Sequence, residues 1–148
     1  MKHKYLKIYE AGKMSGLTYD EMNNWRRELK YKLEDEAWNK SYVIDVINPV
    51  YFYNFESVKY QNDTEVKDYD LAHVLSSDII VVNLEGLDTS DGSKIEIHDA
   101  YYNNKIPVVA FGDKKLFEEL HPWIKTSITR VEKDMDEVVN YIKDFYMV

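Results

Sequence analysis

The chain has 148 residues, 45% of them hydrophobic, which is enough for one domain with a substantial core. Its formal net charge of −8 argues against a partner such as a nucleic-acid polymer or an anionic membrane, although it leaves a single nucleoside or nucleotide open. The absence of cysteine excludes disulfides, thiolate nucleophiles and cysteine-based zinc sites. Because the first residues lack the apolar core of a signal peptide, we expect a cytoplasmic protein.

The first half of the chain alternates predicted strands and helices. Residues 5–9 form the first predicted strand, and a glycine-containing loop at 11–16 follows it. A long helix is predicted over 18–38, where apolar residues recur at spacings of three and four. After a second strand at 42–47, the aromatic-rich stretch 50–64 predicts a long loop, a candidate flap over a substrate.

The second half continues this alternation. Helices are predicted over residues 65–76, 92–104, 115–123 and 134–146, and strands over residues 78–84, 106–111 and 126–131. Pro122 is expected to end the short helix that precedes the last strand. The pattern predicts a single α/β domain over residues 1–148, a doubly wound, five-stranded parallel sheet with helices on both faces.

The segment 90–96 is the strongest candidate for chemistry. It follows the apolar run of the third predicted strand, and the carboxyl ends of parallel strands are where ligands bind in such sheets. Asp91, Gly92 and Ser93 predict a turn and a helix N-cap, which places Glu96 in the first helical turn. A carboxylate at that edge of the sheet is therefore a candidate catalytic group rather than a charge that serves only solubility.

Two further side chains are candidates for the same site. Asp70 lies 26 positions before Glu96 on the preceding predicted helix, and Tyr9 ends the first strand. A cap or a solvated charge is the alternative for each acid, and simple core packing is the alternative for the tyrosine. For the two acids a functional role is favoured, because both lie near predicted strand ends and glycine-containing loops.

The loop after the first strand is a second candidate binding element. Its glycines, Gly12 and Gly16, allow close approach of a ligand, and Lys13 and Ser15 offer a cation and a hydroxyl. The loop is neither a dinucleotide-binding motif nor a P-loop, so a plain tight turn is equally compatible. The four histidines show no metal-ligand spacing, and we assign no metal and no cofactor.

Three segments, in this order, resemble the nucleoside 2-deoxyribosyltransferase family. Residues 8–16, IYEAGKMSG, resemble its IYLAGPMSG opening, and residues 91–96, DGSKIE, resemble its DGTxxE motif. Between them, Asp70-Leu71 and residues 77–79 resemble its acidic helix and central strand. The resemblance covers about residues 5–112.

The resemblance implies a flavodoxin-like fold and an enzyme that cleaves an N-glycosidic bond. It implies that Glu96 is the nucleophile, that Asp70 and Tyr9 orient it and the sugar, and that Asp91 helps to protonate the leaving base. The implied substrate-binding residues are Gly12, Lys13, Met14, Ser15, Gly92 and Ser93. Family members form symmetric oligomers in which a neighbouring chain completes the pocket, so we expect a homo-oligomer with a nucleoside and a free nucleobase as its small-molecule partners.

Three positions depart from the family pattern: Glu10 replaces an apolar residue, Lys13 a proline and His98 a glycine, and we expect each of them to lie beside the pocket. Lys13 and Ser15 would suit a 5′-phosphate, which favours a deoxynucleotide N-glycosidase, whereas Glu10 would repel phosphate if it faced the loop. We favour a free nucleoside and transfer. The alternatives are that hydrolase, a non-catalytic nucleotide-binding module and a plain interaction domain.

Overall fold

The structure, a computed structural model, describes residues 4–54 and 56–148. The strands of its sheet are β1 (Tyr5–Ala11), β2 (Val43–Ile47), β3 (Ile79–Asn83), β4 (Val108–Phe111) and β5 (Arg130–Glu132). All neighbours pair in parallel, in the order β2-β1-β3-β4-β5. This is the flavodoxin-like strand order, so the predicted fold class is confirmed.

Helices connect the strands, as the alternation predicted. They are α1 (Tyr19–Asn39), α2 (Asp63–Leu75), α3 (Asp91–His98), α4 (Lys114–Glu118), α5 (Pro122–Lys125) and α6 (Met135–Phe145). Thr18 caps α1 and forms a capping box with Glu21, because each side chain accepts a hydrogen bond from the other's backbone amide. The predicted loop at 50–64 begins with a short 3-10 helix, Pro49–Phe52, and contains residue 55, which lies outside the described residues.

The two faces of the sheet bury separate apolar layers. On one face, Tyr9 of β1 packs in a cluster with Val74 of α2 and Ile97 of α3. On the other face, Ile8 packs in a cluster with Leu29 of α1 and Ile142 of α6. Since successive strand residues point to opposite faces, β1 contributes to both layers. The layer that contains Tyr9 also lies beneath the candidate site.

The start of α3 differs from the prediction in one respect that matters for the site. The helix begins at Asp91 and its N-cap position is Ser90, so Glu96 is the sixth helical residue and lies in the second turn, not the first. The regular helix also ends at His98, and residues 99–103 continue as a π-helical turn. Ser90 uses its hydroxyl to bond Ser93, and the helix therefore starts without the predicted side-chain cap.

The predictions for the segment before β5 were wrong in detail. Pro122 begins α5 instead of ending a helix, because proline lacks the amide hydrogen that the first helical position does not need. The fifth strand was placed at residues 126–131, but Ser127 donates its backbone amide to Ile124 and so belongs to the end of that helix. Pairing with β4 starts only at Arg130.

Candidate active site

A cavity of about 670 Å³ opens at the carboxyl ends of β1 and β3. These neighbouring strands flank the point where the strand order reverses, which is the usual ligand site in an open α/β sheet. The cavity walls come from the loop after β1, the start of α1, the aromatic loop with α2, and the start of α3. The fold thus brings together four segments that lie far apart in the chain.

Glu96 lies in this cavity as a half-buried side chain. Its Oε2 is buried and has no hydrogen-bond partner among the described residues. Burial raises the pKa of Glu96 to about 7; the neighbouring Tyr9 hydroxyl acts in the opposite direction, and the charge of Asp70 raises the pKa further. A carboxyl group with this pKa exists in both protonation states near neutral pH.

Tyr9 lies beside Glu96 and beneath the cavity. The side chain is fully buried, and its hydroxyl lacks a well-formed hydrogen bond to any described residue. Burial, followed by the nearby Glu96 carboxylate, raises the pKa of Tyr9, so the phenol stays neutral. An unpartnered buried hydroxyl next to an unpartnered carboxylate oxygen is costly unless a ligand completes the group.

Asp70 faces the same cavity from α2. Tyr53 Oη donates a hydrogen bond to Asp70 Oδ1 at 2.5 Å, and this contact joins the aromatic loop to the helix. Burial raises the pKa of Asp70, while the Tyr53 hydrogen bond and the nearby His73 lower it. Asp70 and Glu96 interact electrostatically, so two acids from different helices converge on one space.

The loop after β1 contributes Gly12, Met14 and Ser15 to the cavity wall. A Cβ atom on Gly12 would lie 2.7 Å from Cζ2 of Trp25, so only glycine allows the loop to pack this closely against α1. Lys13 lies outside the lining, because its side chain covers Gly86 and its ammonium group donates to Thr89 Oγ1 at 2.9 Å.

The start of α3 contributes Asp91, Gly92 and Ser93. Asp91 lies at the rim with its side chain 91% exposed, 3.3 Å from the ammonium group of Lys94. Ser93 is buried and accepts a hydrogen bond from the Ser90 hydroxyl at 2.8 Å. The predicted site residues therefore converge on one cavity, with Lys13 outside its wall and Tyr9 beneath it.

Two of the three departures from the family pattern lie away from the cavity. Glu10 points to the opposite face of the sheet from Tyr9, toward α1, so the expectation that it lies beside the pocket was wrong. His98 is exposed at the end of α3 and packs against Tyr102, with ring centroids 4.7 Å apart.

Sequence reasoning missed Tyr53 and Tyr60 as cavity residues. Their rings lie 5.9 Å apart in an edge-to-face arrangement at the mouth of the site. The signal was present, since the stretch 50–64 was predicted to be an aromatic flap, but nothing in its spacing separates a cavity tyrosine from an exposed one such as Tyr51.

The charges of the cavity wall are acidic. The ionisable lining includes Asp70, Asp91 and Glu96, and no lysine or arginine belongs to the lining within residues 4–54 and 56–148. In the same part of the chain, no group of three histidine, aspartate or glutamate side chains is arranged to hold a metal ion. Of the helices that the structure describes, none has the length and apolar character to cross a membrane.

No protein-family model and no curated protein matches the sequence. Among solved structures, a conserved protein from Enterococcus faecalis aligns with 95% of this chain and 98% of its own length, at a TM-score of 0.74 and 21% identity. A 2-deoxyribosyltransferase from Bacillus psychrosaccharolyticus aligns over 91% of both chains, at a TM-score of 0.64 and 24% identity. The chain has the nucleoside deoxyribosyltransferase fold. The likeness that three short motifs predicted therefore extends, at the level of fold, over nearly the whole chain.

Proposed function

We propose that this protein cleaves the N-glycosidic bond of 2′-deoxynucleosides and transfers the deoxyribosyl group to another nucleobase through a covalent link to Glu96. The observation that carries the proposal is the Glu96 carboxyl group, which lines the cavity with one buried, unpartnered oxygen and lies beside Tyr9 and opposite Asp70. Pairs of carboxyl groups serve glycosyl transfer by stabilising or trapping an oxocarbenium-like centre.

In the first step, a Glu96 oxygen forms a bond to C1′ while the bond from C1′ to the base nitrogen breaks. The bonding electrons go to the base, which takes up a proton, and we expect Asp91, at the rim of the cavity, to supply it. In the second step, a nitrogen of the acceptor base attacks C1′, releases the Glu96 carboxylate and gives up its own proton to Asp91, which is thereby protonated again. Water in place of the acceptor gives hydrolysis.

The partners of Glu96 fit the demands of this chemistry. We expect Asp70, which Tyr53 holds in place, to orient the sugar, and Tyr9, from beneath the cavity, to orient the Glu96 carboxylate. The wall favours a neutral nucleoside over a 5′-monophosphate, because its lining contains the acidic groups of Asp70, Asp91 and Glu96 and no lysine or arginine among the described residues. Lys13, the predicted phosphate ligand, is already bonded to Thr89.

Base exchange tests the proposal directly. Deoxyinosine and free adenine are mixed with the protein, and deoxyadenosine is measured by chromatography; a parallel reaction contains deoxyinosine 5′-monophosphate alone. Transfer predicts exchange in the first reaction, whereas release of hypoxanthine and deoxyribose phosphate in the second would identify the hydrolase instead.

A matched pair of variants assigns the nucleophile. Glu96→Gln is expected to abolish exchange while the protein stays folded, and Glu85→Gln, which changes an exposed glutamate just after β3, is expected to leave it unchanged. A wild-type protein whose melting temperature rises with nucleosides but that turns none over would be a binding module, and absence of any such rise would favour an interaction domain.

A further inference from the structure

Arg26 of α1 is the largest fully buried side chain of the described residues, and it lies outside the cavity lining. Burial lowers its pKa to about 10, so the guanidinium group is still charged at neutral pH. A buried charge is costly unless hydrogen bonds satisfy it, and such a group therefore needs an explanation.

Three backbone carbonyl groups satisfy Arg26. Its Nε donates to Glu10 O at 3.3 Å, its Nη2 to Gly12 O at 3.0 Å and its Nη1 to Met22 O at 2.5 Å. Gly12 and Met22 both line the cavity. The guanidinium fork thus ties the loop after β1 to the first turns of α1, directly behind the cavity wall.

The charge of Arg26 is not cancelled by an ion pair. Among the described residues, no carboxylate oxygen lies within 4.0 Å of a guanidinium nitrogen of Arg26. Glu10 is its nearest acidic neighbour along β1, but burial raises the pKa of Glu10 to about 9, and both carboxyl oxygens lack partners. A neutral Glu10 leaves the positive field of Arg26 to act on other groups.

That field reaches the candidate nucleophile. The Arg26 charge lowers the pKa of Glu96 and of Tyr9, whereas burial and Asp70 raise both. Tyr9 of β1 and Glu96 of α3 act on each other, and Arg26 of α1 and Asp70 of α2 act on both. Arg26 is the cation among them, and Lys30 acts on Glu10.

We propose that Arg26 is a positioning residue: its guanidinium group holds the loop after β1 against α1 and so fixes the cavity wall formed by Gly12 and Met22. This inference rests on the proposed function. Arg26 acts through Gly12 and Met22 and does not itself touch the substrate.

Three variants test this role: Arg26→Gln, Arg26→Lys and, as a matched control, Arg27→Gln. Arg27 is the next residue of α1, but it is exposed and donates to the Tyr51 hydroxyl. Two quantities are measured: KM for deoxyinosine in base exchange, and the titration midpoint of the Glu96 carboxyl by carbon-13 NMR, assigned with Glu96→Gln.

We expect Arg26→Gln to raise KM at least tenfold and to raise the Glu96 midpoint, because the nearby positive charge is lost. Arg26→Lys keeps the positive charge but cannot bond all three carbonyl groups. We therefore expect a Glu96 midpoint closer to that of the wild type, together with a KM that is still raised above the wild-type value. Arg27→Gln is expected to match wild type in both.

An unchanged KM in Arg26→Gln, or an equal rise in Arg27→Gln, overturns the inference. If Arg26→Gln fails to fold, Arg26→Lys decides, because a wild-type KM in that variant shows that the contacts with the three carbonyl groups do not position the loop. If the wild-type protein shows no exchange, the proposed function fails, and the NMR titration still judges the effect of Arg26 on Glu96.

Discussion

At the scale of single residues, the protonation of Glu96 determines when the site is competent. Its pKa of about 7 in the free protein means that the attacking carboxylate is a minor species at pH 6 and the major species at pH 8. We expect kcat/KM for deoxyinosine to rise about tenfold per pH unit below the midpoint and to level off above it. A rate profile that is flat between pH 5 and 8 would contradict this.

The Tyr53 hydroxyl gives a second prediction at this scale. Removing the hydrogen bond in Tyr53→Phe takes away a contact that lowers the pKa of Asp70, so we expect that pKa to rise and kcat/KM to fall about tenfold or more. Tyr60→Phe, the same change on the neighbouring ring, is the control and keeps most of the activity. Equal losses in both variants would show that general aromatic packing is responsible.

Residue positions were only partly predictable from the sequence. Strand alternation alone would have placed Glu10 on the opposite face from Tyr9. Arg26 also left a signal, because it shares the three- and four-residue spacing of Leu29 and Leu33 on the buried stripe of α1. For Tyr53 the sequence indicated only an aromatic loop, since a loop side chain has no period from which its direction could be inferred.

At the scale of elements, the contact between the loop after β1 and α1 determines which residues can replace Gly12 without loss of stability. Gly12→Ala would place a methyl carbon 2.7 Å from the Trp25 ring, so we expect a loss of about 1–3 kcal/mol in stability together with loss of exchange. Gly92→Ala is the matched control, because a Cβ there meets no atom within 4 Å and alanine favours the helix.

Thermal unfolding separates these two variants. We expect the melting temperature to fall for Gly12→Ala and to stay constant or rise for Gly92→Ala. A fall of similar size in both would mean that the close packing against Trp25 does not govern the loop.

Elements with strong periodicity were predicted well, whereas those that depend on tertiary contacts were not. The apolar run of β3 and the spacing in α1 identify these elements without ambiguity. The limits of β5 depend on where α5 ends. That helix begins at Pro122, which the sequence analysis interpreted as the end of a helix.

At the scale of the whole molecule, Glu10 links stability to pH. Its carboxyl group is fully buried with a pKa of about 9, whereas the unfolded chain has the ordinary glutamate value near 4. The folded state therefore binds the extra proton, and the stability from this group is complete below pH 4 and declines as pH rises toward 9. The slope from this single proton is about 1.4 kcal/mol per pH unit.

Glu10→Gln removes this titration with little change in shape. We expect the free energy of unfolding of the wild-type protein to fall more steeply than that of the variant between pH 5 and 9, as measured by urea denaturation. Because Glu96 titrates in both proteins, the difference between the two curves isolates Glu10. Parallel curves would contradict the assignment.

The packing of Trp25 also has an optical consequence. Of the three indoles, Trp38 and Trp123 are 85% and 78% exposed, whereas Trp25 is half-buried against Phe111 and the backbone of Gly12. Iodide should quench the emission of the first two and leave a blue-shifted signal from Trp25. The native chain thus contains its own fluorescent reporter, next to the loop that a nucleoside would contact.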